Sequence, residues 1–331
     1  MASDYQDLQA ARIVAGTLTL LSREIREVGR PVDLWSPPIY PEFIRDIAAE
    51  VSRGEADALW VEDRHPARGL AVFRPSPWES NFFGFTCARL LGPFMVVEDQ
   101  RDREARVASL ARQAAGLGLS RNIKLITIKT FHDPAVLRGF LSEGFVLAEI
   151  GASLRGLVPE EELEIALPSG FMFVDGEDLP ALADEVVAAL GDFFYDGHYR
   201  HDPVPGPEEA RRLWSLMVAD DLNGAADPAV VLWDRKKDRP AGLATVRTSD
   251  RAAGLSIMAV CPRYQGQGLG RLILAEILNR LIGKAGDLRV ETASYNLPAL
   301  KLYQGLGFVP AAPLVSLHRH LATFKNSHLR Y

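Results

Sequence analysis

The sequence predicts an α/β (α+β) fold: two mixed sheets flanked by helices, arranged in tandem, with the N-terminal copy degenerate. Three observations predict it. Near the C-terminus a strand-like segment passes through a loop holding Gly266, Gly268 and Gly270 into a helix with apolar residues at threes and fours. The same order of elements recurs at an offset of 163 residues, with Asn296 falling on Asp133 and Gly307-Phe308 on Gly144-Phe145. A length of 331 residues allows about two domains, and a 47% hydrophobic, 24% charged composition can fill a core in each.

In chain order, a helix is expected over residues 41–52 and a strand over 58–62. Phe94-Met95-Val96-Val97 reads as a strand, residues 103–117 as a helix, and Leu125-Ile126-Thr127-Ile128 as a strand. Turn-forming residues at 155–170, including Gly156, Pro159 and Pro168-Ser169-Gly170, place a boundary there. The expected domains are 1–160, the degenerate copy, and 170–331, the working one.

The second domain begins with a strand at 171–174, followed by helices at 178–190 and 207–218. Strands at 230–233, 241–248 and 254–260 come next, with Pro240 in the turn between the first two. Leu269, Leu272, Ile273, Ala275, Ile277, Leu278 and Leu281 give the following helix a core-facing stripe. Leu288, Val290 and Thr292 then alternate as in a strand. Asn296 starts the last helix, with Pro298 in the first turn, where its missing N–H costs nothing.

Composition excludes several functions. A net charge of −6 and a pI near 5.7 argue against a nucleic-acid partner. No apolar run reaches the ~20 residues of a membrane-spanning helix, so no membrane partner is expected. Cys87 and Cys261 are too few for a disulfide framework or a metal site, so no metal is expected. With no basic-then-apolar leader at the N-terminus, the expected location is the cytoplasm.

The glycine loop carries the chemistry. Glycine lets backbone N–H groups turn toward a bulky anion, and a helix N-terminus favours negative charge. The loop is therefore read as a pyrophosphate cradle. A Walker loop would need Lys and Ser or Thr where Arg271-Leu272 stand. A dinucleotide fingerprint would need its third glycine one place later, although Glu291 lies about where the acidic partner belongs. In the first copy, residues 98–104 replace the glycines with Glu98, Asp99, Asp102 and Glu104, which would repel phosphates.

Gln265-x-x-Gly268-x-Gly270 resembles the coenzyme-A loop of the GNAT acyltransferases. Downstream, Asn296-Leu297-Pro298-Ala299-Leu300-Lys301-Leu302-Tyr303, closing on Gly307-Phe308, resembles that family's N-x-x-A-x-x-L-Y-x-x-x-G-F. The likeness covers about half of the chain. It implies tandem GNAT-like sheets, acetyl-CoA as cofactor, and transfer of an acetyl group to a primary amine of a small molecule. Within the family, Trp78-Glu79-Ser80-Asn81-Phe82-Phe83-Gly84, residues 193–203 and Val290-x-Thr292 resemble the TDP-fucosamine acetyltransferase family, which acts on nucleotide-linked amino sugars. The aromatic residues equally fit core packing. A protein, amino acid or antibiotic amine, or a non-catalytic acyl-CoA sensor, are the alternatives.

The resemblance also assigns roles. Gln265, Gly266, Gln267, Gly268, Leu269, Gly270 and Arg271 would hold the cofactor's phosphates, Met258 and Val260 would flank its thioester arm, and the Val260 N–H would polarise the carbonyl. Asn296 would meet the pantetheine amides or simply cap its helix. Tyr303 would protonate the departing thiolate or merely pack on the cofactor. Glu291 is the candidate base, with His198, His201 or water as alternatives.

Overall fold

The computed structural model describes residues 14–16, 19, 41–61, 69–95, 99–190, 197–200, 202, 204–249, 252–311 and 313–321. They fall into two compact units. One contains the described residues up to Ile150, Asp202, Val204 and those from Pro313 onward; the other contains Gly151–Arg200 and Pro205–Ala311.

The first unit runs α1 (Pro41–Ser52), β1 (Asp57–Val61), β2 (Gly69–Pro75), α2 (Pro77–Phe83), β3 (Cys87–Met95), α3 (Gln100–Ser120), β4 (Leu125–Phe131) and α4 (Pro134–Ser142) into β5 (Val146–Leu157). The second takes the end of β5, then β6 (Phe171–Val174), α5 (Leu179–Leu190), α6 (Gly206–Asp220), β7 (Ala229–Asp234), β8 (Arg239–Ser249) and β9 (Ala252–Val260). It closes with α7 (Leu269–Leu281), β10 (Asp287–Ala293), α8 (Leu297–Gly305) and β11 (Val309–Pro310). The final strand, β12 (Leu314–His320), returns to the first unit.

The strands of each unit pair in a mixed pattern. In the first, β1, β2 and β3 pair antiparallel, β3 and β4 parallel, and β4 and β12 antiparallel. In the second, β6 to β9 form antiparallel neighbours, β9 and β10 are parallel, and β10 pairs antiparallel with Gly151–Leu157 of β5.

Each unit buries its own core. Phe73, Leu90, Leu110, Ile126, Phe140 and Phe145 fill the first, with Val315 and Leu317 supplied by β12. Val231, Leu243, Ile273, Ile277, Leu288, Val290 and Phe308 fill the second. Gly156 makes the close packing possible there, since a Cβ on it would come within 2.6 Å of the Phe308 ring.

The elements differ from the sequence reading in several places, and Pro240, expected in a turn, pairs with Trp233 inside β8. Pro77–Phe83 is a short helix, with Pro77 in its first turn and Gly84 closing it in a left-handed conformation at φ 72°. Its aromatic run hides it from a periodicity search. The division also falls at 150/151 rather than at 160–170, and the last strand joins the first unit. The turn-forming stretch is loop from 158 to 170, but its first residues, Gly156 among them, belong to β5 and pair with β10. Residues 96–98, which include Glu98, and 191–196 of the aromatic segment lie outside the described residues.

Candidate active site

The site is built on a parting of strands in the second unit. Cys261 donates its N–H to the Ala241 carbonyl at 2.9 Å, and Val260 stands opposite Gly242. Bonded and non-bonded pairs alternate in an antiparallel ladder, so Met258 and Val260 turn their N–H and C=O groups away from β8. On that far side β10 pairs with β9 only at Ala253 and Gly254. Beyond them the parallel strands separate, and the N–H groups of Met258 and Val260 face the opening. The Val260 carbonyl accepts from Gln265 Nε2 at 3.0 Å, which folds the loop back over the strand end.

After a single 3₁₀ turn at Pro262–Tyr264, the glycine loop enters α7. Gly266 and Gly268 adopt φ 74° and 78°, a left-handed conformation that favours glycine. A Cβ on either would meet nothing within 4 Å, so both backbones face open space. Gly270 differs: a Cβ there would fit tightly, 3.3 Å from Leu302 Cδ2 and 3.5 Å from Val260 Cγ2. It lets the first turn of α7 pack close to β9 and α8.

No backbone carbonyl among the described residues accepts from the N–H groups of Gly266, Gln267, Gly268, Leu269 or Gly270. No side chain caps α7 either. Gln267 instead turns back to the Arg263 carbonyl at 3.2 Å, and Arg271 donates to the Gly305 carbonyl at the end of α8, at 2.7 Å. The open amides stand at the positive end of a 13-residue helix. That arrangement is suited to an anion with several oxygens.

Tyr264 anchors the loop from below. Its hydroxyl donates to Asp234 Oδ2 at 2.9 Å, while Asp234 Oδ1 accepts from the N–H groups of Lys236 and Lys237. Burial, the hydrogen bond and the Asp234 charge together push the Tyr264 phenol up to about 12. A cavity of about 440 Å³ beside this turn is lined by Arg239, Cys261, Arg263 and Tyr264.

The expected helix follows β10. Asn296 caps α8, its Oδ1 accepting from the Ala299 N–H at 3.3 Å and its Nδ2 donating to Thr292 Oγ1 at 2.9 Å. Tyr303 is buried, with its ring 5.8 Å from that of Phe308. Burial pushes its phenol above the ordinary tyrosine range, which keeps the proton on oxygen at any physiological pH. Glu291 is half-buried on β10, opposite Ser153. His198 is half-buried against Tyr199, and His201 lies outside the described residues. Trp78, Phe82 and Phe83 sit on α2 in the first unit, in a chain of ring contacts at 6.2 and 4.9 Å.

Known proteins share this arrangement of loop and strands. Residues 184–308 match the acetyltransferase (GNAT) family. That span lies in the second unit apart from residues 202–204. Over 111 residues the chain is 33% identical to a mycothiol acetyltransferase of Kineococcus radiotolerans, a match covering 32% of this chain and 35% of that relative. A GCN5-related N-acetyltransferase from Sphaerobacter thermophilus superposes with a TM-score of 0.57 over 83% of this chain and 86% of its own, at 13% identity. A tandem GNAT protein from the clavulanic acid biosynthesis pathway gives 0.55 over 94% and 96%, at 15% identity. At these identities the structural likeness establishes the tandem GNAT fold. Among the described residues, no helix is long and apolar enough to cross a membrane.

Two polar constellations escaped the sequence reading. In the second unit, buried Asp221 accepts from Thr245 Oγ1 at 2.6 Å and from Arg247 at 2.7 and 2.9 Å. In the first, Asp202, His318 and His320 converge. The alternate histidines of the last strand were the available signal for that second group.

Proposed function

We propose that this protein is an acetyl-CoA-dependent N-acetyltransferase acting on a primary amine of a small molecule. The observation that carries the reading is the set of open amides from Gly266 to Gly270, beside a strand edge whose Val260 N–H is also open. When bound, acetyl-CoA supplies the activated acyl group. Here the amides of the loop would hold its pyrophosphate, and Arg239 and Arg263 would add positive charge beside the turn. The Val260 N–H would donate to the acyl oxygen, an interaction of a kind worth about 2.7–4 kcal/mol.

Tyr303 would move one proton, from its Oη to the departing sulfur. Burial keeps that proton on Oη in the resting protein and makes the phenol a weaker acid than an ordinary tyrosine, so the transfer would rest on the sulfur being held against Oη rather than on matched acidity. Asn296 would support the arm of the cofactor through α8, which it already caps. Glu291 is our candidate for receiving the proton of the amine.

The acceptor we favour is a nucleotide-linked amino sugar, on the strength of the Trp78–Gly84 segment and Val290-x-Thr292. Free-thiol release from acetyl-CoA, followed with a panel of amines, tests both levels. The panel pairs a nucleotide-linked amino sugar with an amino acid, an aminoglycoside and a mycothiol-type amine, the last for the Kineococcus relative. Amine-dependent release supports the enzyme, and preference for the sugar nucleotide supports the acceptor. Tight cofactor binding with no release for any amine would point to a sensor instead.

A further inference from the structure

We infer that Asp202, His318 and His320 form a binding site for one divalent transition-metal ion in the first unit, with zinc the best match to the donor set. His318 and His320 are two apart on β12, so both side chains leave the same face of the strand. Val315 and Leu317 alternate with them and enter the hydrophobic core from the other face. Asp202, distant in sequence but in the same unit, meets the histidine face. Its Oδ2 contacts His318 Nδ1 directly and lies 3.2 Å from His320 Nε2. All three donor atoms lie within 4.8 Å of one another.

A lone buried histidine with an aspartate is an ordinary internal hydrogen bond. Two imidazoles converging on one carboxylate oxygen are more than such a bond requires. Two neutral imidazole nitrogens and one carboxylate oxygen make a zinc ligand set that leaves a fourth position open. Donors about 2.0–2.2 Å from an ion lie roughly 3.4 Å apart in tetrahedral geometry, so the present spacings need to change by only about an ångström. The His318 and Asp202 side chains are fully buried, whereas His320 is 18% exposed and gives the ion a way in. Nothing in this inference depends on acetyl transfer.

The test uses the full chain, stripped with chelator and titrated with Zn²⁺ in a calorimeter, with Co²⁺ as an optical probe. The expected result is one Zn²⁺ per chain, a higher Tm with the metal, and visible Co²⁺ bands that Zn²⁺ bleaches. His320→Gln, a change on the exposed side of the cluster, should weaken Zn²⁺ binding by more than the ~10–100-fold that loss of a supporting partner costs. Wild-type protein that takes up no stoichiometric Zn²⁺ and shows no Co²⁺ bands would overturn the site. So would a folded His320→Gln variant that binds Zn²⁺ as tightly as wild type.

Discussion

Helices α3 and α7 follow matching strands in the two units, yet their N-terminal amides meet opposite fates. Asp99 caps α3, its carboxylate accepting from the Asp102 N–H at 2.8 Å while its carbonyl takes the Arg103 N–H at 3.0 Å. Arg103 in turn holds Asp133, the residue matching Asn296, at 2.6 Å, and Arg106 pairs with Asp102 at 3.0 Å. The first unit thus supplies its own anions to the place where the second leaves amides open. Phe140 in one stands for Tyr303 in the other, so the candidate proton donor is missing as well. The scaffold was kept in both, and the difference lies in who provides the negative charge.

The largest expected effect comes from making the second helix resemble the first. Gly268→Asp puts a side chain at φ 78° and a carboxylate among the open amides. Calorimetry should show one acetyl-CoA per wild-type chain and none for the folded variant. Two equivalent sites in wild type, or unchanged binding in Gly268→Asp, would remove the contrast between the units.

Next in size is Tyr303→Phe, which should lower turnover roughly 10²-fold with little change in acetyl-CoA affinity. Single-turnover rates set beside binding titrations separate the two quantities. A variant as fast as wild type from neutral to alkaline pH would leave Tyr303 with a packing role only.

Much of this contrast was legible in the sequence because it rests on local chemistry. Glycines at 266 and 268 and an asparagine at 296 each answer a backbone demand within a few residues. Gly270 was legible as a glycine but not for its packing, since only the approach of Leu302 and Val260 shows how little room a Cβ would have. What local patterns cannot carry is pairing between distant segments. The strand after α4 pairs with β10, and the last strand, β12, pairs with β4, so a cut at the turn-forming residues misplaces both. Asp202 shows the same limit: nothing near it in sequence announces His318 and His320.

Tyr264 offers a third, smaller test, because at the 163-residue offset the first copy has the exposed Arg101, already inside α3, and not a tyrosine in a turn before the helix. Losing its hydroxyl in Tyr264→Phe removes a hydrogen bond to a charged group, worth about 1.5–3 kcal/mol at neutral pH. Its folded-state pKa is raised from 10.0 to about 12, so the neutral phenol is favoured by folding. That stability is full below pH 10 and declines as pH climbs toward 12. Denaturation across this range should show the wild type converging on the variant. Parallel curves would mean that the Asp234 contact does not tune the phenol.

The smallest effect concerns the cap itself. Asp99→Ala takes the side-chain acceptor from α3 and should cost about 1 kcal/mol in chemical denaturation, the usual penalty for losing an N-cap. It also removes one negative charge from the start of the helix. If the first unit fails to bind acetyl-CoA only because its own carboxylates occupy the site, this variant should begin to show weak second-site binding. We expect it not to, because Asp102, Glu104 and the Arg103–Asp133 pair remain and no glycine there frees the backbone. One site per chain in Asp99→Ala, at the wild-type affinity, would show that the first unit lost the cradle's shape as well as its charge. A second site would show that charge alone separates the two copies.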